Sequence, residues 1–211
     1  MRTLLTNIAH LALFADARTE MTDAAVLIEG TGIAAVGRAA DKTGIAADRV
    51  VDLAGHVVMP GLVNTHHHMY QNLTRVMVQD DPLFVWLRTL YPIWARIDDD
   101  AIRVLARMAM AELIASGCTT SSDHLHILPN DCRPDTTIAV AAEMGLRFHA
   151  ARGAMSRGES KGGLPHDSCV EEEGAILKDA ERLIAATTTW PPMRCAASYS
   201  PPVRRSRSCR A

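Results

Sequence analysis

Cysteine is sparse in this sequence, and none of it is paired at short spacing. Five cysteines occur among 211 residues: Cys118, Cys132, Cys169, Cys195 and Cys209. The lack of a C-x-x-C motif excludes a thiolate zinc site, and an odd, dispersed set argues against a disulfide framework. The pattern predicts reduced thiols in a cytoplasmic protein.

Long apolar runs and a strong net charge are also absent. No run of roughly 18 apolar residues occurs, so no membrane span is predicted. Asn7, His10 and Asp16 interrupt the apolar N-terminal segment, so no signal peptide is predicted. The formal net charge of −2 gives no electrostatic reason to expect nucleic acid or an acidic membrane as a partner. Because 48% of the residues are hydrophobic, a globular core is expected.

The first 57 residues are predicted to form a small β-domain. Two apolar runs in DAAVLIEGTGIAAVG are separated by the turn signal GTG. RVVDLAGHVVMPG indicates two more short strands, broken at Ala54-Gly55. These strands are too short to make a large sheet.

From Gly61 onward, predicted strands alternate with predicted helices. The strands are LVNTH, CTTSSDH and LRFHAARG, and the helices are DDDAIRVLARMAMAELIASG, DTTIAVAAEMG and CVEEEGAILKDAERLIAA. Asp98 and its acidic neighbours favour the start of the first of these helices, and Gly117 favours its end. DPLFVWLRTLYPIW is either a helical or a loop insertion. The alternation predicts a parallel sheet with outer helices, and both an open doubly wound sheet and a (β/α)₈ barrel fit it.

Three consecutive histidines, in NTHHHMYQ, follow the predicted strand GLVNT. Residues two apart in a strand project to one face, so His66 and His68 are expected together and His67 opposite. In a barrel the carboxyl ends of the strands carry the chemistry, and two imidazoles there are half of a zinc or iron site. The alternative is a group of solvated loop histidines. The Pro60-Gly61 turn before a buried strand favours the metal site.

Four further residues are candidates for substrate contact, each with a structural alternative. Trp86 and Tyr91 could line a pocket for a flat ring, although packing in the core is favoured. His124 follows Asp123 at the end of the second strand, and it contacts either substrate or this neighbour. Arg152 ends the third strand, and it meets either a substrate carbonyl or a carboxylate. The histidines without a motif are expected to be structural: His126, His149 and His166.

Several segments together resemble the amidohydrolase superfamily: DAAVLIEGTGIAAVG, DLAGHVVMPGLVNTHHHMYQ and GCTTSSDH. The closer resemblance is to the branch of guanine deaminases, 8-oxoguanine deaminases and triazine hydrolases. The segments most similar to 8-oxoguanine deaminases are THHHMYQNLTR, WLRTLYPIW, TTSSDHLHILPN and RFHAARGAMSRGESKGGLP. The resemblance covers roughly residues 20–190.

The resemblance implies a metal-dependent (β/α)₈ barrel with a small β-sandwich domain built from both chain ends. His66 and His68 match two metal ligands of the family. One divalent ion, zinc in preference to iron, would activate water for attack on the ring carbon that bears the amine. Gln71 matches the glutamine of an H-x-H-x-x-Q pattern that is expected to bind the heterocycle, with an exposed loop residue as the alternative. The implied partners are purine-like or triazine-like small molecules, and the full-length relatives are implied to be homo-oligomers.

The resemblance also implies residues that this sequence is not seen to supply. They are histidines after the fifth and sixth strands, an aspartate after the eighth, and a general acid/base. Only three barrel strands are clear, so an incomplete barrel over residues 58–192 is expected, without a catalytic acid/base. Residues 193–211 are an atypical Arg/Ser/Pro tail, interpreted either as a disordered basic segment or as the product of a reading-frame shift. MRCAA could begin a fourth strand.

The expected function is deamination of an amino-heterocycle, first of all 8-oxoguanine to a urate-type product. The 211-residue chain alone is expected to be inactive. A triazine-type chloro- or aminohydrolase is the alternative within the family, and a non-catalytic binding remnant is the alternative from another class. An open α/β nucleotide binder is set aside, because neither G-x-G-x-x-G nor G-x-x-x-x-G-K-[ST] follows a strand.

Overall fold

The computed structural model describes residues 1–14, 19–42, 44–187 and 196–199. They fall into two compact units, Met1–Gly61 and a second unit that begins at Leu62. Within these ranges, no helix combines the length and the apolar character that crossing a bilayer requires.

The first unit is a five-stranded sheet in the order β3-β2-β1-β4, with β5 also paired to β1. Its strands are β1 (Arg2–Ala12), β2 (Glu20–Glu29), β3 (Gly32–Arg38), β4 (Arg49–Asp52) and β5 (Val57–Val58). β2 and β3 pair antiparallel across the GTG turn, where Gly30 has a φ of 60°. The β-rich interpretation of this region and both predicted strand breaks are confirmed.

Residues of β2 alternate between two hydrophobic clusters. Ala25 and Leu27 belong to one cluster with Leu4, and Ala24 and Val26 belong to the other. Because successive strand residues face opposite sides of a sheet, both faces of this strand are covered. The sequence of β2 therefore contains a continuous apolar run and does not alternate between apolar and polar residues there.

The second unit contains a sheet of four parallel strands in the order β6-β7-β8-β9. Its elements are β6 (Leu62–Asn64), α1 (Leu83–Trp94), α2 (Asp99–Ala115), β7 (Cys118–Leu125), α3 (Pro134–Met144), β8 (Arg147–Arg152), α4 (Glu173–Thr187) and β9 (Ala196–Tyr199). The strands follow one another in chain order without reversal. A doubly wound sheet reverses its order at a switch point, so this order favours the barrel interpretation.

A fourth parallel strand extends the three that the sequence showed clearly. β9 pairs with β8 in a register that joins Phe148 to Ala196 and Ala151 to Tyr199. It overlaps the end of MRCAA, where the start of such a strand was predicted. The other residues of the segment 193–211 lie outside the described part of the chain.

Capping interactions determine where several helices begin and end. The Asp98 side chain accepts a hydrogen bond from the backbone N–H of Ala101 at 2.9 Å and begins α2. Gly117 follows the C-cap residue of α2 and has a φ of 85°. Gly145 is the C-cap residue of α3 and has a φ of 73°. These glycines supply a left-handed conformation that side chains disfavour. The segment DPLFVWLRTLYPIW, predicted to be either a helix or a loop, contains the helix α1.

Two hydrophobic clusters hold the second unit together. The first joins α2, α3 and β8 and contains Met69, Ala106, Ala109, Met110, Val140, Ala141, Leu146, Phe148 and Ala150. The second surrounds Trp94, which is fully buried and contacts the rings of Tyr70, Trp86 and Tyr91. Most aromatic residues of the segment DPLFVWLRTLYPIW therefore pack in the hydrophobic core, which was the favoured prediction for Tyr91.

The cysteines that the structure describes are buried free thiols: Cys118, Cys132 and Cys169. Burial raises the pKa of Cys132 to about 12, and burial also raises the pKa of Cys169. Such thiols are unreactive at neutral pH because the thiolate is the reactive form. Cys195 and Cys209 lie outside the described residues.

Candidate functional site

The histidine segment lies at the carboxyl edge of the parallel sheet. His66 to His68 begin two residues after the end of β6, and His124 lies near the end of β7. The backbone N–H of His124 donates to the carbonyl of His67 at 2.8 Å, which continues the pairing of the two segments beyond β6. The segments are thereby aligned so that histidines far apart in the sequence meet at one edge.

The predicted pair is close together in the structure. The rings of His66 and His68 are 4.9 Å apart between centroids and meet edge to face. The structure thus brings the two side chains to one place, as the i, i+2 spacing indicates. Their role as metal ligands remains a prediction.

The tautomer of His68 follows from its hydrogen bond. Its Nδ1 lies 2.7 Å from the carbonyl oxygen of His124. A carbonyl oxygen only accepts hydrogen bonds, so Nδ1 carries the proton and Nε2 keeps a free lone pair. A backbone acceptor on the second ring nitrogen is the arrangement that metal-binding histidines usually show.

Two further histidines converge on His68. Ring centroids of His124 and His126 lie 5.2 and 5.0 Å from that of His68. One ring nitrogen from each of the three residues lies within 4.8 Å of the others. His126 was expected to be structural because it carries no recognised motif. The signal that points to it is DHLH, which repeats the H-x-H spacing at the end of the next strand.

The clustered histidines are held in the neutral state. Burial lowers the pKa of His68, and the nearby His66 lowers it further. Burial lowers the pKa of His124, with added effects of His68 and His66. Burial lowers the pKa of His126 to about 4, again with contributions from its two histidine neighbours. Neutral imidazoles are the form that binds metal ions.

Gly153 allows the two histidines of the second strand to pack against β8. A Cβ added at this glycine would lie 2.4 Å from the Cβ of His126 and 2.7 Å from Nε2 of His124. Contacts this short are not tolerated, so only glycine permits the approach.

The predicted substrate residues Gln71 and Trp86 line a cleft beside the histidine pair. The cleft has a volume of about 630 Å³, and His66, His68 and Arg75 also line it. Its size is typical of small-molecule sites. The structure therefore brings together two of the five candidates for substrate contact and both predicted metal ligands.

His124 lines a second cleft, of about 430 Å³, on the face of the parallel sheet. Its walls include Val63, Ser122 and His149, and His66 lines this cleft as well as the first one. The substrate candidates His124 and Gln71 therefore approach His66 from different sides.

Tyr70 connects the first cleft with the histidine cluster. Its hydroxyl accepts a hydrogen bond from Nε2 of Gln71 at 3.2 Å and lies 3.1 Å from Nε2 of His126. The ring is 1% exposed and packs edge to face on Trp94 at 5.2 Å. Sequence analysis did not single out Tyr70, because nothing in the local pattern shows that its hydroxyl reaches a residue 56 positions away.

Arg152 forms the ion pairs that were the alternative to substrate contact. Its Nε lies 3.0 Å from Oδ2 of Asp179, and its Nη2 lies 2.7 Å from Oε1 of Glu171. Nη1 donates to the carbonyl of Gly153 at 2.7 Å. The side chain is 2% exposed, so these acceptors replace the water that the guanidinium loses. Substrate contact by Arg152 is only a prediction.

The sequence model of the Amidohydrolase family matches residues 57–198. The chain belongs to the amidohydrolase family. This match includes the histidine segment, the helices α1 to α4 and the parallel sheet except for Tyr199, the last residue of β9.

Several members of the family are similar to this chain over part of their length. An 8-oxoguanine deaminase from Pseudomonas aeruginosa is 49% identical over 138 residues, which are 64% of this chain and 31% of that protein. A hydroxydechloroatrazine ethylaminohydrolase from Pseudomonas sp. (strain ADP) is 37% identical over 143 residues, 64% of this chain and 30% of that protein. The chain thus spans about a third of the length of these relatives.

A solved family member gives the structural comparison. The atrazine chlorohydrolase from Arthrobacter aurescens TC1, complexed with zinc, matches with a TM-score of 0.84 at 29% identity. The match covers 94% of this chain and 46% of that enzyme. It confirms the predicted fold class, which is the N-terminal part of an amidohydrolase (β/α)₈ barrel together with a small β-domain. The histidine donors of this chain fit the same kind of ion, because zinc binds neutral imidazole well.

Proposed function

We propose that this family member acts in metal-dependent hydrolysis of an exocyclic C–N bond of an amino-heterocycle, with 8-oxoguanine as the first substrate to test. Water adds its oxygen to the ring carbon, the carbon–nitrogen bond breaks, and the amine leaves as ammonia with one proton of that water, while the other proton ends on the neighbouring ring nitrogen. The products are an oxo-heterocycle and ammonia. The 49% identity with an 8-oxoguanine deaminase supports this choice.

The observation that carries the proposal is the common cleft of the histidine pair, Gln71 and Trp86. His66 and His68 would hold the ion, which supplies a Lewis acid that makes bound water a nucleophile at neutral pH. The half-buried Trp86 offers an aromatic surface to a flat ring. The ion and the ring would then lie side by side in one cleft.

The hydrogen bond of Gln71 indicates which edge of the heterocycle it would recognise. Its amide nitrogen donates to the Tyr70 hydroxyl, so the carbonyl Oε1 remains as the acceptor for a ligand. An acceptor in this position prefers a ring edge that presents an N–H group. Oxo-heterocycles in their lactam form present such an edge, whereas a chlorotriazine presents unprotonated ring nitrogens.

A triazine-type hydrolase is the second candidate function. The structural match to the zinc-bound atrazine chlorohydrolase and the 37% identity with the ethylaminohydrolase favour it. Both candidate reactions use the same histidine pair. They differ in the leaving group, which is ammonia, an alkylamine or chloride.

The test measures these leaving groups. The purified chain, loaded with zinc or iron, is incubated separately with 8-oxoguanine, guanine, a hydroxylated ethylamino-triazine and atrazine. Ammonia from 8-oxoguanine that is lost in His66→Ala and Gln71→Leu, but kept in the control His10→Ala, supports the proposal. Release of ethylamine or chloride alone favours the triazine function. Metal binding without turnover of any of the four favours the non-catalytic interpretation.

A further inference from the structure

Asp123 carries a buried carboxyl group that the proposed reaction does not use. The residue is 1% exposed, and its Oδ1 accepts a hydrogen bond from the backbone N–H of Met69 at 2.8 Å. Its Oδ2 is also buried and, within the described part of the chain, has no hydrogen-bond partner. A buried carboxyl group with one unpaired oxygen is unfavourable, so its presence calls for an explanation.

We infer that Asp123 is a positioning residue, which fixes His68 and Gln71 relative to each other through a backbone hydrogen bond. This inference rests on the proposed function, in which His68 holds the ion and Gln71 contacts the heterocycle. Asp123 itself touches neither the ion nor the heterocycle, because it acts only through the backbone.

The peptide unit between His68 and Met69 transmits this effect. Its N–H group donates to Asp123, and its carbonyl oxygen accepts a hydrogen bond from the backbone N–H of Gln71 at 3.0 Å. Both polar groups of one rigid plane are therefore held. The orientation of this plane sets the ψ angle of His68, which is 84°. The same plane leads into the 3₁₀ helix Met69–Thr74, which carries Gln71, so a rotation of the plane would move both side chains.

The neighbouring hydrogen bonds between this segment and β7 use backbone atoms of His124. Its N–H donates to the carbonyl of His67 at 2.8 Å, and its carbonyl accepts from Nδ1 of His68 at 2.7 Å. A substitution at position 124 leaves these backbone groups in place. The contact of Asp123 depends on its own side chain, so substitution there tests the attachment directly.

The alternative is that Asp123 only fills space beside Met69, which is fully buried. Burial raises the pKa of Asp123 to about 7, so the position disfavours the charged carboxylate. For stability alone, an apolar side chain would suit this position at least as well. A polar side chain at a position that disfavours it fits a role in the site, where function and stability often oppose each other.

The experiment compares Asp123→Ala and Asp123→Asn with Ser121→Ala as the matched control, all in the whole chain. Asparagine keeps an oxygen that can accept from the Met69 N–H, whereas alanine keeps none. Ser121 lies two residues earlier on β7, so it faces the same side, and it is also fully buried. Its hydroxyl donates to the carbonyl of Ser122, so its loss leaves the peptide unit of His68 untouched.

Two measurements report on the histidine and on the glutamine. ¹⁵N NMR of the metal-free chain gives the tautomer of His68 and the amide exchange rate of Gln71, and competition with a chromophoric chelator gives the zinc affinity. In Asp123→Ala we expect averaged tautomers, faster exchange and a roughly tenfold to hundredfold loss of zinc affinity, the size usual when the support of a metal ligand is removed. Asp123→Asn and the control should stay close to the wild type.

Two outcomes would overturn the positioning role. A wild-type tautomer and zinc affinity in Asp123→Ala would mean that the carboxyl group only fills space. Equal losses in Asp123→Ala and Asp123→Asn would mean that charge, and not the hydrogen bond, is what matters. A wild-type chain that binds no zinc would refute the ion assignment of the proposed function, and the tautomer and exchange rates would then decide the role of Asp123.

A measurement without substitutions guards against variants that fold poorly. In the metal-free wild-type chain, the amides of Met69 and Gln71 should exchange through one common opening and show equal protection, because one peptide unit holds both. Free exchange at Gln71 while Met69 stays protected would contradict the coupling.

Discussion

Removal of the Arg152 guanidinium should destabilise the second unit more than removal of any exposed cation. The side chain is 2% exposed and bridges Glu171 and Asp179, whose side chains are 28% and 25% exposed. Breaking a buried ion pair from one side costs roughly 3–5 kcal/mol, because the partner charge is left uncompensated. Since water still reaches part of both carboxylates, we expect about 3 kcal/mol for Arg152→Met, the lower end of that range.

The assay is equilibrium urea unfolding at pH 7, with Arg75→Met as the matched control. Arg75 pairs with Glu112, and both side chains are half exposed, so its loss should cost much less than the loss of Arg152. Arg152→Lys should fall between the two, because a single ammonium cannot reach all three acceptors. A loss within about 1 kcal/mol of the Arg75 control would refute the reasoning, given the size expected of exposed pairs.

A further substitution tests whether charge is the cause. Asp179 keeps its ion pair with Arg182 at 2.8 Å, so adding Glu171→Gln to Arg152→Met removes the carboxylate that has lost its cation and should restore part of the lost stability. Failure to restore any of it would mean that packing of the arginine alkyl chain, and not the ion pair, accounts for the loss.

Substitutions at three other positions test separate parts of the structure by urea unfolding. Gly153→Ala places a methyl group 2.4 Å from the His126 Cβ, so we expect about 1–3 kcal/mol of destabilisation, and an unchanged stability would contradict this packing. Asp98→Ala should cost about 1 kcal/mol through the lost cap of α2, and Asp98→Asn should cost less. The hydrogen bonds from Arg182 hold the pKa of Asp135 below its ordinary value. The ion pair therefore stabilises the fold at pH values above the ordinary pKa, and this stabilisation is lost as the pH falls through the lowered pKa. Asp135→Asn should abolish this acid-dependent part, which is under about 1 kcal/mol for so exposed a pair.

Local patterns accounted for most of the fold. Strand and helix alternation after Gly61 predicted the parallel sheet, since hydrophobic periodicity and glycine stops act within a few residues. Gly117 and Gly145 end their helices in the left-handed conformation, as expected. The insertion that ends at Trp94 remained ambiguous, because Pro92 within it argues against a helix. Burial of its aromatic residues against the rest of the unit outweighs that local preference.

Apart from His124, the candidate site was predictable only where its residues are neighbours in the sequence. His66 and His68 share a segment, and Gln71 lies three residues further on, so one motif contained all three. His126 depends on how β6 and β7 align, which no local pattern specifies. The contact between His126 and the Tyr70 hydroxyl joins residues 56 positions apart, so it forms only when the sheet is folded. The ion pairs of Arg152 were foreseen as an alternative, but their partners were not.

Gly153 limits how closely the third parallel strand can lie to the second. A Cβ at this position would lie 2.5 Å from the Cα of His126, and every residue has a Cα, so this limit does not depend on the histidine side chain. Members of the family whose second strand approaches the third as closely should therefore keep glycine at the position of Gly153, whichever residue stands at the position of His126.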